Sequence, residues 1–154
     1  KPEQMMEDFR VNAMGFLQTV QANLKLLKAA AALPEGGAPS VVGFSTVAVQ
    51  TGMGFHASIA AAKGAVEGLV RTMSAEFAPD IRVNAIAPSL TDTPLAASLL
   101  SSDTKREASA ARHPLKRIAS AQDVAGTAAF LLSPAAAAIT GQVLQVDNGI
   151  SAVR

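Results

Sequence analysis

Short apolar runs separated by helix-length stretches constrain this chain more than any other feature. Val41-Val42-Gly43-Phe44-Ser45, Ile81-Arg82-Val83-Asn84-Ala85-Ile86-Ala87 and Val143-Leu144-Gln145-Val146 each read as a short buried strand. Strands that far apart cannot be hairpin partners. A crossover of about a dozen residues or more, usually a helix, joins parallel neighbours instead. The order helix, strand, helix, strand, helix, strand therefore implies an α/β architecture with helices on both faces of a parallel sheet.

The helices are legible by period. Phe9, Ala13, Phe16, Val20, Leu24, Leu27 and Ala31 recur every three or four residues, so residues 3–32 read as one helix, with Asn12 and Gly15 marking a kink or close approach. The breaker-rich loop 33–39 ends it. A second long helix spans about 55–78 and stops at Pro79-Asp80. Pro88 closes the second strand. Residues 89–119 read as irregular, with short helices near 94–101 and 103–112. Ser120 and Asp123 form a capping box that opens a helix to about Leu132. Three strands make a small sheet, and the first helix arrives with no strand before it. The 154 residues are therefore expected to be a single partial domain, the C-terminal half of a doubly wound, Rossmann-like parallel sheet.

Composition narrows the function. A hydrophobic content of 49% indicates a folded chain, and a net charge of +1 gives no reason to expect nucleic acid or an anionic membrane as partner. No apolar run approaches the ~18 residues of a membrane span. With no cysteine there is no disulfide, thiolate metal site or cysteine nucleophile, and no metal site is expected. This composition suits a reducing compartment, and the cytoplasm is the expected location. Tyrosine and tryptophan are also absent.

Five local patterns, in order and in register from about residue 3 to 150, resemble the short-chain dehydrogenase/reductase family. They are Phe9-Arg10-Val11-Asn12-Ala13-Met14-Gly15, Phe44-Ser45-Thr46-Val47-Ala48, Ile59-Ala60-Ala61-Ala62-Lys63-Gly64-Ala65-Val66, Ile81-Arg82-Val83-Asn84-Ala85-Ile86-Ala87-Pro88, and Ile139-Thr140-Gly141-Gln142 leading to Val146-Asp147. The resemblance implies a catalytic tetrad of asparagine, serine, tyrosine and lysine, the tyrosine thirteen residues after the serine and four before the lysine. Carried onto this chain, the four positions are Asn12, Thr46, Ile59 and Lys63. Threonine keeps serine's hydroxyl. Isoleucine cannot transfer a proton, and a positioned acid–base is worth roughly 10²–10⁴-fold.

The family's tyrosine exchanges a proton with the substrate oxygen while hydride moves to or from nicotinamide. Its lysine lowers the tyrosine pKa and holds the ribose hydroxyls. The resemblance thus implies NAD or NADP as cofactor, with Lys63 and, in the loop after the second strand, Pro88, Thr91 and Thr93 on the nicotinamide side. Ser89 stands where the family has glycine, and Asn148 replaces the first glycine of its terminal Asp-Gly-Gly. His56 lies three residues before Ile59, roughly on one helical face, and is the one nearby candidate for the missing acid. It also reads as an ordinary helix-start histidine. Gly52-Met53-Gly54-Phe55-His56-Ala57 imitates a dinucleotide fingerprint, but about six residues separate it from the strand. It reads as the loop carrying Thr46 toward Lys63, and the dinucleotide-binding half is expected upstream of Lys1.

Residues 94–118 fall where the family has its variable substrate lid. Leu95, Leu99 and Leu100 suit an apolar pocket, and Lys105, Arg106, Arg112, His113, Lys116 and Arg117 suit a solvated basic face or an acidic substrate. The expected function is an NAD(P)-dependent oxidoreductase acting on a small carbonyl, alcohol or enone. The alternative is a non-catalytic relative that binds dinucleotide or serves in assembly. Small residues on the second helix, Ala60, Ala61, Gly64, Ala65 and Gly68, match the family's helix-to-helix contacts, and a homo-oligomer, dimer or tetramer, is expected.

Overall fold

In the computed structural model, which describes residues 1–33 and 37–153, the helix expected over 3–32 comes in three pieces. Helix α1 (Pro2–Phe9) runs through a π turn (Arg10–Met14) into α2 (Gly15–Ala31). A π turn makes i→i+5 hydrogen bonds and accommodates one extra residue, which explains the interruption expected at Asn12. Asn12 Nδ2 donates to the Asp8 carbonyl at 2.8 Å, supporting the turn from inside the helix. The turn also rotates the apolar stripe: Ala13 and Val20 are buried, whereas Phe9 is exposed. Residues 34–36 of the expected loop lie outside the described residues.

Strand β1 (Ser40–Phe44) leads through a short helix, α3 (Ala48–Thr51), to the long α4 (Ala57–Phe77), and then to β2 (Arg82–Pro88). β1 and β2 pair in parallel, Ser40 opposite Arg82 and Phe44 opposite Ile86. Pro88 is the last residue of β2 rather than its stop, a place where its missing N–H costs no ladder bond. The stretch expected to be irregular contains a strand pair that sequence did not suggest. β3 (Thr91–Asp92) pairs in parallel with β4 (Ala119–Ser120), across α5 (Asp103–Ala111). The helix expected near 94–101 is only a 3₁₀ turn at Pro94–Ala96, which exposes Leu95 and Leu99. Helix α6 (Ala121–Leu132) opens with the expected Ser120/Asp123 capping box, and β5 (Val143–Val146) follows, parallel to β2.

The main sheet has the order β1-β2-β5, so β2 is central, and residues 81–87 are buried on both faces. Alternation sorts its side chains. Ile81, Val83 and Ala85 join Val20, Val66, Val70 and Met73 from α2 and α4. Ile86 packs on the other face with Leu131 and Ala136. Gly43 allows the first layer to close, because a Cβ there would come within 3.1 Å of the Phe16 ring and 3.3 Å of Val66. Among the described residues, no strand pairs with the outer edge of β1. No helix among them is long and apolar enough to cross a membrane.

Candidate functional site

Parallel sheets of this kind place their chemistry at the carboxyl ends of the strands. Here β1 ends at Phe44 and β2 at Pro88, and the expected site residues gather there from both sides. On the α4 side, Lys63 is half-buried, and its Nζ donates to the Phe44 carbonyl at 2.9 Å. Desolvation holds the Lys63 pKa below the usual lysine value. One of its three N–H groups is occupied, so two remain for a ligand. Thr46 follows two residues later. Its Oγ1 accepts from the Ala48 N–H at 3.3 Å, just ahead of α3, leaving its own proton to donate. Asp8 accepts from Ser58 Oγ at 2.5 Å, which ties α1 to the start of α4 beside Ile59. Asn12, one turn beyond Asp8, packs in the π turn against the same helix.

These ties bring α1, the π turn, α4 and the end of β1 together, but no hydrogen bond among the described residues links Asn12, Thr46 and Lys63 directly. Ile59 is half-buried in α4. His56 caps the N-terminal end of α4 by position only, and is exposed. Its Nδ1 lies 2.7 Å from the Gly54 carbonyl. A carbonyl only accepts, so Nδ1 carries the hydrogen. The glycine-rich stretch beginning at Gly52 is exposed and separated from β1 by α3, as a loop toward Lys63 should be and a phosphate loop should not.

On the opposite side lies a cavity of about 550 Å³, lined by Phe44, residues 88–91, Thr93, Leu95, Ala96, Leu99 and one face of α6. Pro88, Thr91 and Thr93 therefore share this wall, whereas Asn12, Thr46, Ile59 and Lys63 lie outside it. Phe44 belongs to both halves, lining the cavity and accepting from Lys63. The threonines order the loop: Thr91 Oγ1 donates to the Ser89 carbonyl at 3.0 Å, and Thr93 Oγ1 reaches the Thr91 carbonyl at 3.5 Å.

Two of the basic residues between 105 and 117 form local ion pairs. Arg106 pairs with Asp92 at 2.7 Å and Arg117 with Asp123 at 2.8 Å, and each guanidinium holds its partner's carboxyl below the usual aspartate range. Lys105 and Lys116 donate to backbone carbonyls. His113, one of the expected solvated residues, is instead 2% exposed and hydrogen-bonded through both ring nitrogens. Two further polar pairs were not foreseen. Ser45 Oγ donates to Glu67 at 2.6 Å inside the core, and Ser89 Oγ meets His113 Nε2 at 3.0 Å. Glu67 lies one helical turn after Lys63, an apolar-face position that could have flagged it; nothing in the spacing connects 89 to 113. Ser89 does not adopt positive φ, so it fits where the resemblance has glycine, and Asn148 takes the left-handed conformation at φ 54.

A family model described as enoyl-(acyl carrier protein) reductase matches residues 1–151. A tropinone reductase homologue of Arabidopsis thaliana is 40% identical over 120 residues, 77% of this chain and 46% of that protein. An inactive 2-(S)-hydroxypropyl-CoM dehydrogenase of Xanthobacter autotrophicus is 40% identical over 119 residues, 74% of this chain and 52% of that protein. The crystal structure of a gluconate 5-dehydrogenase from Burkholderia cenocepacia in complex with NADP and tartrate aligns at a TM-score of 0.89 and 27% identity, over all of this chain and 58% of that one. The chain spans about half the length of the relatives it matches.

Proposed function

The chain belongs to the short-chain dehydrogenase/reductase family, and on that footing we propose that it forms the C-terminal part of an oxidoreductase that moves hydride between NAD or NADP and a small carbonyl, alcohol or enone. The observation that carries the reading is Lys63, a half-buried ammonium fixed at the Phe44 carbonyl with two N–H groups to spare. Such a group fits a pair of ribose hydroxyls. The adjoining cavity, apolar with the threonine hydroxyls on its wall, fits a flat aromatic amide and a small substrate. NADP in the related gluconate 5-dehydrogenase supports the same assignment. The phosphate-binding half of the domain belongs, on this reading, to residues outside these 154.

When bound, the nicotinamide gives or takes the hydride. The chain's own residues hold and polarise. Lys63 anchors the ribose, Pro88 and the 91–93 loop support the carboxamide, and Thr46 donates its free hydroxyl proton to the substrate oxygen. Asn12 sits in the π turn, where the family keeps its proton-relay water. Ile59 gives no proton. That favours a substrate needing little protonation, such as a polarised double bond, or delivery of the proton by solvent or by His56. We further place the protein in the cytoplasm as a homo-oligomer packed through α4. Assay of the full-length protein with NADH and NADPH against a panel of ketones and enones tests the reading. Turnover with at least one pair is expected, and no turnover with any would overturn it.

A second reading is favoured by Ile59 itself and by the similarity to a relative named as inactive. In it the protein binds the dinucleotide without catalysis. Nucleotide binding without turnover, together with activity that arises only on Ile59→Tyr, would select this reading.

A further inference from the structure

His113 has no role in the chemistry above, yet it is 2% exposed and fully hydrogen-bonded. Its Nδ1 lies 2.9 Å from the Ser109 carbonyl, which can only accept, so the neutral ring carries its hydrogen on Nδ1. Nε2 is then an acceptor, and the Ser89 hydroxyl, 3.0 Å away, donates to it. Ser89 lines the cavity and begins the loop that carries Thr91 and Thr93, while His113 stands just beyond the far end of α5. Their hydrogen bond therefore joins the two ends of the lid segment. The ends are also tied by the β3–β4 pair, and Arg106–Asp92 spans the lid between them. Behind the ring, Asp147 accepts from the N–H groups of Gly149 (2.8 Å) and Ser151 (3.0 Å), and the Leu115 N–H bonds to the Asn148 carbonyl. The turn after β5 thus backs the segment that carries His113. The Ser89 N–H points at the Val146 carbonyl, 3.4 Å away, so both the backbone and the side chain of Ser89 are held.

We propose that Ser89 and His113 are a positioning pair that fixes the 88–93 loop, and with it the cofactor-side wall of the cavity. A glycine at 89 has no hydroxyl and cannot make this tie; the serine makes the lid's base rigid through a side-chain bond. The role in cofactor binding rests on the proposed function, whereas the effect on the loop does not. The test uses the full-length protein with Ser89→Ala, Ser89→Thr and His113→Leu, followed by ¹⁵N spectra of the His113 ring, hydrogen exchange of the 88–93 amides, and titration with NADH and NADPH. Wild type should show a single Nδ1–H tautomer at pH 8. Ser89→Ala should keep the Nδ1–H tautomer, which the Ser109 carbonyl fixes, but shift the Nε2 resonance as that nitrogen loses its donor, speed exchange in 88–93 and weaken binding of the reduced nucleotide about three- to tenfold, the usual worth of one neutral hydrogen bond. Ser89→Thr should restore all three, and unfolding midpoints should stay close together for the Ser89 variants. If His113→Leu fails to fold, the Ser89 pair alone decides. An unchanged Nε2 resonance and unchanged exchange in Ser89→Ala overturn the pair. Altered exchange with unchanged nucleotide affinity overturns its positioning role. A wild type that binds neither nucleotide overturns the proposed function, and the ring spectra and loop exchange then still decide whether the pair holds the loop.

Discussion

At the scale of single residues, the proposed function assigns binding to Lys63 and leaves Ile59 without a part in proton transfer. Ile59→Tyr restores the proton donor that the family resemblance implies, and we expect carbonyl reduction by the full-length protein to rise by roughly 10²-fold or more, read as kcat/KM. A fall in an existing activity would mean that Ile59 belongs to a different mechanism. Lys63→Met should raise the Kd for NADH or NADPH by about tenfold, the loss of ~1.4 kcal/mol, measured by nucleotide fluorescence. The same change should not lower stability at neutral pH. Burial already depresses the lysine pKa, so the charged form is disfavoured in the fold and the penalty disappears as pH rises past the unfolded value. Asp147 shows the opposite sign. Burial pushes its pKa up, but the Ser151 hydroxyl, the N–H groups of Gly149 and Ser151, and His113 outweigh this and leave it lowered. Its contribution is complete above the ordinary aspartate range and is lost as pH falls through the folded value. Denaturant midpoints should therefore decline below about pH 4 in the parent, and more shallowly in Asp147→Asn.

Elements are held at their ends as much as along their faces. Helix α6 finishes with carbonyls that no helical N–H can reach. Buried Arg82 supplies the donors, with Nη1 2.8 Å from the Leu131 carbonyl and Nη2 3.1 Å from that of Ser133. A cation at a helix C-terminus also complements the dipole. Neighbouring Asn84, fully buried, donates to the Ile139 carbonyl and accepts from the Gln142 N–H. Arg82→Met should cost about 2 kcal/mol, since it removes charge-assisted hydrogen bonds from the end of α6, and would appear as a lower urea midpoint at an unchanged slope. Both residues fall in a run read simply as a buried strand. Apolar alternation revealed where β2 was and hid what its polar members do, because their partners lie about fifty residues away. The same limit hid Ser89–His113 and the β3–β4 pair. Local signals were read well: the capping box at Ser120, the left-handed Asn148 and the helix period of α4 each depend on neighbours within a few residues. The π turn fell between these cases. Asn12 and Gly15 announced an interruption, but not that the apolar stripe would step around it and leave Phe9 in the open.

For the whole molecule, the strand order sets the expectations. A three-stranded sheet with β2 central is covered on both faces, yet β1 keeps an unpaired edge among the described residues. Exposed apolar side chains on α1, Met6 and Phe9 among them, add to the surface in search of a cover. Residues 1–154 by themselves should therefore self-associate at micromolar concentration, and sedimentation as a stable monomer would contradict this. The open edge also has a constructive use. A seam made of parallel backbone hydrogen bonds, with each side bringing its own crossover helices, is a place where a protein can be divided and rejoined. On the proposed function, coexpression of these residues with the proposed upstream half as a separate chain should reconstitute nucleotide binding by fragment complementation, with β1 as the template on which a strand of that half docks.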